Sequence, residues 1–249
     1  MNDLTVSGIV FASVFGGALL GVLLRAILPK DNLSPESRDV VKLAMGTIAT
    51  MTAVVLGMLV ASAKGYYDNQ SRELTEMSAR FVLLDRILSH YGPEAKEARD
   101  ALRESVVRLV EIWAHPYAAP PKAEPSFAGE AVLDKIQELL PKNDAQRSLQ
   151  ARAMNLAVEM GETRWLMFEQ ASISISTPML LVVIFALTIT FTSFSLHSAP
   201  NPTMIVTLIL CSLAVAGTIL LIMELYRPFQ GIIHIPMDPL RNALAQLGR

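Results

Sequence analysis

Bond-making chemistry needs ionisable or nucleophilic side chains gathered at a defined spacing, and this sequence offers few. Its four histidines, His90, His115, His197 and His234, lie far apart and fall into no metal-ligand pattern. They read as ordinary surface or helix-end residues. The single cysteine, Cys211, sits inside an apolar block, so no disulfide framework or thiolate metal cage forms within one chain. There is no glycine-rich phosphate loop, no HExxH pair and no nucleophile motif. The reading is therefore not an enzyme, with no cofactor and no metal. What remains is uncharged: Thr47, Thr50 and Thr52 in one apolar stretch, and Thr188, Thr190, Thr192, Ser193 and Ser195 in another. Such hydroxyls usually bond back to a carbonyl one turn earlier in their own helix. A helix lining a water-filled pore also wants small polar groups without formal charge, and there the chemistry would be solvation of a passing ion.

The elements that carry these residues are set by the distribution of charge. The chain has 249 residues, 52% hydrophobic and only 18% charged, with a mean hydropathy of +0.40. Net charge is −2, which gives no field to attract nucleic acid. Four blocks, Leu4–Leu24, Leu43–Ala63, Pro178–Leu196 and Thr203–Met223, contain no Asp, Glu, Lys or Arg. At about 1.5 Å per residue, each is long enough for a hydrocarbon core of about 30 Å. Backbone groups in lipid must be satisfied within the segment, so the blocks are helices. The first lacks the basic flank of a signal peptide, having Asp3 instead, and exceeds the usual apolar length, so it reads as a retained span. Pro29, Asp31 and Asn32 break the chain after the first span, and Asn201-Pro202 starts the fourth, with Asn201 as a candidate cap. No ionisable residue lies deep in a span, which disfavours a proton relay or a charge-coupled pump.

Between the second and third spans the pattern is helical. Tyr67, Gln70, Leu74, Met77, Phe81, Leu84, Leu88 and Tyr91 step by threes and fours, close to a heptad seam with Gln70 as its polar member. Gly92-Pro93 ends it. A second helix is expected over 94–115, with Ala98, Leu102, Val106, Leu109 and Trp113 on one stripe. A proline-rich loop (116–125), a short helix to Leu140 and a last helix from Asn143, striped by Leu149, Ala153, Leu156, Met160, Thr163 and Met167, complete it. The charges between these stripes read as the solvated side of a bundle. The fold class is thus all-α, an integral membrane protein with four transmembrane helices and a helical extramembrane domain between the second and third. The expected segments are 1–63, a first hairpin; 64–177, a cytoplasmic helical domain; 178–225, a second hairpin; and 226–249, a cytoplasmic tail.

An even number of spans puts the N-terminus, the insert and the tail on one side. A slight excess of flanking cations there, against Arg25, Lys30, Arg38 and Lys42 opposite, points to the cytoplasm. Short loops and the lack of a targeting signal fit a bacterial inner membrane. Within the spans, Ser13, Gly17 and Gly21 recur at intervals of four, as do Ala49, Ala53, Gly57 and Ala61. Such ridges let backbones approach closely, inside the chain or between copies. Two of them in one chain favour a homo-oligomer.

After the fourth span comes Met223-Glu224-Leu225-Tyr226-Arg227-Pro228-Phe229-Gln230-Gly231, then Ile232-Ile233-His234-Ile235 and Pro239-Leu240. Pro228, Phe229, Gly231, Pro239 and Leu240 form a pattern that resembles the tail of the bestrophin-like family of unknown function. Leu56-Gly57-Met58-Leu59-Val60 and then Glu73-Leu74-Thr75-Glu76-Met77 resemble that family's glycine-rich second span and the acidic helix after it. The layout of two spans, an insert, two spans and a tail is also similar, while Tyr226-Arg227 departs from the acidic or small residue expected there. The resemblance implies the properties of bestrophins: a pentameric anion channel in the lipid bilayer whose second span lines the pore, with a neck of apolar side chains one turn apart. On this sequence the neck falls among Met51, Val54, Val55, Met58 and Ser62, first of all Val54, Met58 and Ser62, with Thr47 and Thr50 above them. The acidic calcium-binding cluster of animal bestrophins has no counterpart, so calcium gating is not implied. The function so indicated is passive conduction of small anions by an oligomer, favoured by threonine hydroxyls and helix N-termini. Three alternatives stay open: these residues pack against the first span; the chain is a stator-like or signal-transducing subunit needing a partner chain; or it is a scaffold that conducts nothing.

Overall fold

The computed structural model describes residues 3–27, 35–114, 126–171, 177–198, 201–229 and 231–248, without the side chains of 35–38, 113–114, 126–128, 168, 171 and 177. The breaks expected at 28–34, the loop 116–125, Gln230, His115 and the side chain of Trp113 lie outside this description. The elements are α1 (Asp3–Ile27), α2 (Pro35–Tyr91), α3 (Lys96–Ala114), α4 (Ser126–Gln137), α5 (Asp144–Ala171), α6 (Thr177–His197), α7 (Pro202–Leu225) and α8 (Asp238–Gln246). Helices α1, α2, α6 and α7 are long and apolar enough to cross a membrane. No strand occurs among the described residues. The chain forms two compact units, residues 1–66 with 174–226, and residues 67–173 with 227–249.

In the first unit α1 packs against both α6 and α7. Its inward face is Val10, Val14 and Ala18, all fully buried. Side-chain bonds cross both interfaces. Ser7 Oγ donates to the Ala216 carbonyl at 2.8 Å, and Thr192 Oγ1 donates to the Gly17 carbonyl at 2.9 Å. Apolar helices in lipid gain little from the hydrophobic effect, so close packing and such bonds do the joining. Asn201 stands at the N-cap of α7, but its side chain makes no capping bond; Pro202 at the first helical position, which lacks an N–H, lessens the need for one.

The second unit has a water-soluble core. The seam expected from Tyr67 is buried from Gln70 onward, with Tyr67 half-buried: Leu74, Met77, Phe81, Leu84, Leu88 and Tyr91 join Ala98, Leu102, Val106 and Leu109 of α3 and Ala153, Met160 and Met167 of α5 in one cluster. The tail adds Ile235, Leu240 and Leu247 to it. Helix α4 stops at Gln137, short of the expected Leu140. Pro141 disfavours a helical Leu140, and Gln150 Nε2 satisfies the freed carbonyls of Ile136 and Leu139 at 2.9 and 2.8 Å. Asn143 does cap α5, its Oδ1 accepting from the Gln146 N–H at 2.8 Å. On the surface Lys135 reaches Glu97 at 2.9 Å and Lys142 reaches Glu94 at 2.5 Å. The hydrogen bond from each lysine holds its partner carboxyl below its ordinary value.

Candidate functional site

Within the first unit α2 has two unlike faces. Thr52, Leu59 and Ala63 are buried, and their spacing of seven and four puts them on one stripe. The opposite stripe carries Thr47, Thr50, Met51, Val54, Met58 and Ser62, every one exposed. Met51, Val54 and Met58 remain 66%, 58% and 64% accessible, so three large side chains lie uncovered on one helix face. Thr47, Thr50, Met51, Val54, Met58 and Ser62 therefore share an exposed face, while Val55, the remaining candidate of the neck, is half-buried.

The Thr47 and Thr50 hydroxyls point back into their own helix. Thr47 Oγ1 donates to the Leu43 carbonyl at 3.1 Å and Thr50 Oγ1 to that of Gly46 at 2.9 Å. Each hydroxyl hydrogen is thereby committed, and what faces outward is an oxygen lone pair and a methyl group. Coordination of an anion by these threonines requires the hydroxyl to leave its carbonyl.

The two small-residue ridges have different fates. A Cβ placed on Gly17 would lie 2.6 Å from Thr188 Cγ2, and one on Gly21 would lie 2.2 Å from the Thr192 carbonyl oxygen. The Gly17–Gly21 ridge is therefore the seat of α6. Ser13, at its start, is half-buried and donates to the Ile9 carbonyl at 2.8 Å. On α2, Ala49 is half-buried while Ala53, Gly57 and Ala61 are exposed. Nothing lies within 4 Å of where a Cβ on Gly57 would stand.

Sequence reasoning missed two features. At the end of α7, the Tyr226 hydroxyl lies 3.2 Å from Ser62 Oγ, and its ring stacks on Tyr66 with centroids 5.4 Å apart. Tyr226 was visible only as a departure from the expected tail pattern. In the second unit, Asp85 is buried and takes a two-pronged hydrogen bond from Arg99, at 2.8 and 3.0 Å. The signal was an acid directly after Leu84 of the seam, passed over as a solvated charge. In the tail, Pro228 and Leu240 are buried and Pro239 is half-buried. Phe229 packs on the core, Gly231 adopts a φ of 105°, and the Ile235 N–H donates to the Pro228 carbonyl at 2.8 Å. These contacts fold the segment into a compact turn. Among the described residues no three His, Cys, Asp or Glu side chains converge on a metal position.

The fold is similar to two crystal structures of a bacterial bestrophin homolog from Klebsiella pneumoniae, each of a single-substitution variant. One matches with a TM-score of 0.66 at 14% identity, over 95% of this chain and 99% of that one. The other matches with a TM-score of 0.61 at 16% identity, over the same shares. No curated protein matches the sequence. Residues 10–240 match the Bestrophin-like domain. With four helices able to cross a bilayer and an all-helical insert between the second and third, this integral membrane protein belongs to the bestrophin-like family.

Proposed function

We propose that the protein is an oligomeric channel that conducts small anions passively, with the bare face of α2 lining its pore. Membership of the bestrophin-like family supports a channel-type protein. The observation that carries the finer reading is the composition of that face. The outer surface of α7 exposes Ile205, Val206, Ile209, Leu210 and Leu213, large aliphatic groups suited to lipid tails, with Thr203, Thr207, Ala214 and Gly217 between them. The bare face of α2 carries fewer large groups, Met51, Val54 and Met58 set among Thr47, Thr50, Gly57, Ala61 and Ser62. A ring of such faces makes a narrow lumen with apolar constrictions and no fixed charge. Conduction through it is controlled by wetting and dewetting of the constriction. From Thr47 to Ser62 there is no charged residue to hold an ion, so among the anions the least hydrated pass first. In this reading the copies number five, and the helical insert and both chain ends face the cytoplasm of a bacterial inner membrane.

The test is anion flux from liposomes holding the purified protein alone. Iodide and chloride should leave the vesicles, and Val54→Ala and Met58→Ala should each raise the flux several-fold by widening the constriction. A protein that passes neither ion, or two variants that conduct like the parent, would remove α2 from the pore.

A further inference from the structure

We propose that Tyr226 is a positioning residue for the pore, fixing the rotation of α2 at the Ser62 end of its bare face. This rests on the channel reading above. Thr47, Thr50 and Thr52 all spend their hydroxyls on their own helix. Ser62 instead bonds across to another helix, to the Tyr226 hydroxyl at 3.2 Å. Four residues further along α2, one turn on, the Tyr226 ring lies on Tyr66 at 5.4 Å with 26° between the ring planes. One side chain thus grips two successive turns of α2, by its tip and by its face.

The grip comes from a fixed point. Tyr226 is the C-cap of α7, and its N–H donates to the Ile222 carbonyl at 3.2 Å. Ile222 and Leu225 beside it are buried. A hydrogen bond fixes a distance and a stacked ring fixes an orientation, so together they hold the helix against rotation about its own axis. Met58 stands one turn from Ser62 on the same face. Turning α2 at Ser62 therefore turns Met58 toward or away from the lumen.

A double-mutant cycle tests this on the full chain in liposomes, with the iodide-to-chloride flux ratio as readout. Tyr226→Phe keeps the ring and removes only the hydroxyl; Ser62→Ala removes its partner. A bond of ordinary strength predicts that each shifts the ratio by about two- to ten-fold, and that the double variant shifts it no further than either one. Additive shifts, or a Tyr226→Phe protein that behaves like the parent, would reduce Tyr226 to an aromatic anchor at the membrane interface. Val54→Ala and Met58→Ala serve as the reference pair. Flux that responds to them but not to Ser62→Ala or Tyr226→Phe overturns the role of Tyr226 alone. No flux from any variant overturns the pore and this role together.

Discussion

At Gly21 the backbone of α1 runs so close to α6 that a single methyl group has no place to go. The atom it would strike is the Thr192 carbonyl oxygen, 2.2 Å from the added carbon, and backbone cannot swing aside as a side chain can. Gly21→Ala should therefore destabilise the protein by about 1–3 kcal/mol, the usual cost of overpacking, read as a lower melting temperature in detergent. Gly57→Ala meets nothing within 4 Å and is the matched control. Equal melting temperatures for the two variants would refute the packing described. The spacing of Ser13, Gly17 and Gly21 was legible as a ridge in the sequence, but its partner was not. The residues it receives lie more than 160 positions away, and an interval of four says which face is small without saying what covers it. The Thr192 hydroxyl was likewise readable as a helix-bound group, and it does donate to Thr188 at 2.7 Å. The same hydrogen is shared with the Gly17 carbonyl at 2.9 Å, and that branch belongs to the interface alone.

Among the elements, α2 carries both legible and hidden information. Its seam from Leu74 to Tyr91 was readable because apolar residues at threes and fours need a facing helix. Its continuity from Pro35 to Tyr91 follows from the lack of any proline inside it, since Gly65 by itself does not stop a helix. The link to α3 was hidden because the period of a helix predicts which residues are buried and not which charges are paired. Asp85 keeps only 2% of its side chain in solvent, against 23% for Arg99, and it also accepts from the Gly248 N–H at 3.3 Å. Removing the carboxylate takes the two-pronged acceptor from Arg99 and the acceptor from the Gly248 amide together. Asp85→Ala should cost about 3 kcal/mol, at the lower end for a buried pair because Arg99 is partly hydrated. A melting temperature within a degree or so of the parent would show that water replaces the carboxylate at no cost.

For the whole molecule, the sequence carried the class of solvent better than the assembly. Four uncharged stretches can only be helices in lipid, and the family match follows the same layout over residues 10–240. The number of copies was not legible, because it depends on surfaces that a single chain leaves uncovered, such as the face of Val54 and Met58. The pore reading predicts a particle in detergent whose protein mass is about five times the 27.2 kDa chain. A monomer by light scattering would leave that face to lipid and take the lumen away.

The near-contact of α1 and α6 also limits how such a lumen changes size. With a carbonyl seated against Gly21 and the Thr192 hydroxyl bonded to Gly17, the two helices are keyed in register. They travel as a single strut. Under the channel reading, a change of bore then requires α2 to turn, which means releasing the hold of Tyr226 on Ser62 and Tyr66.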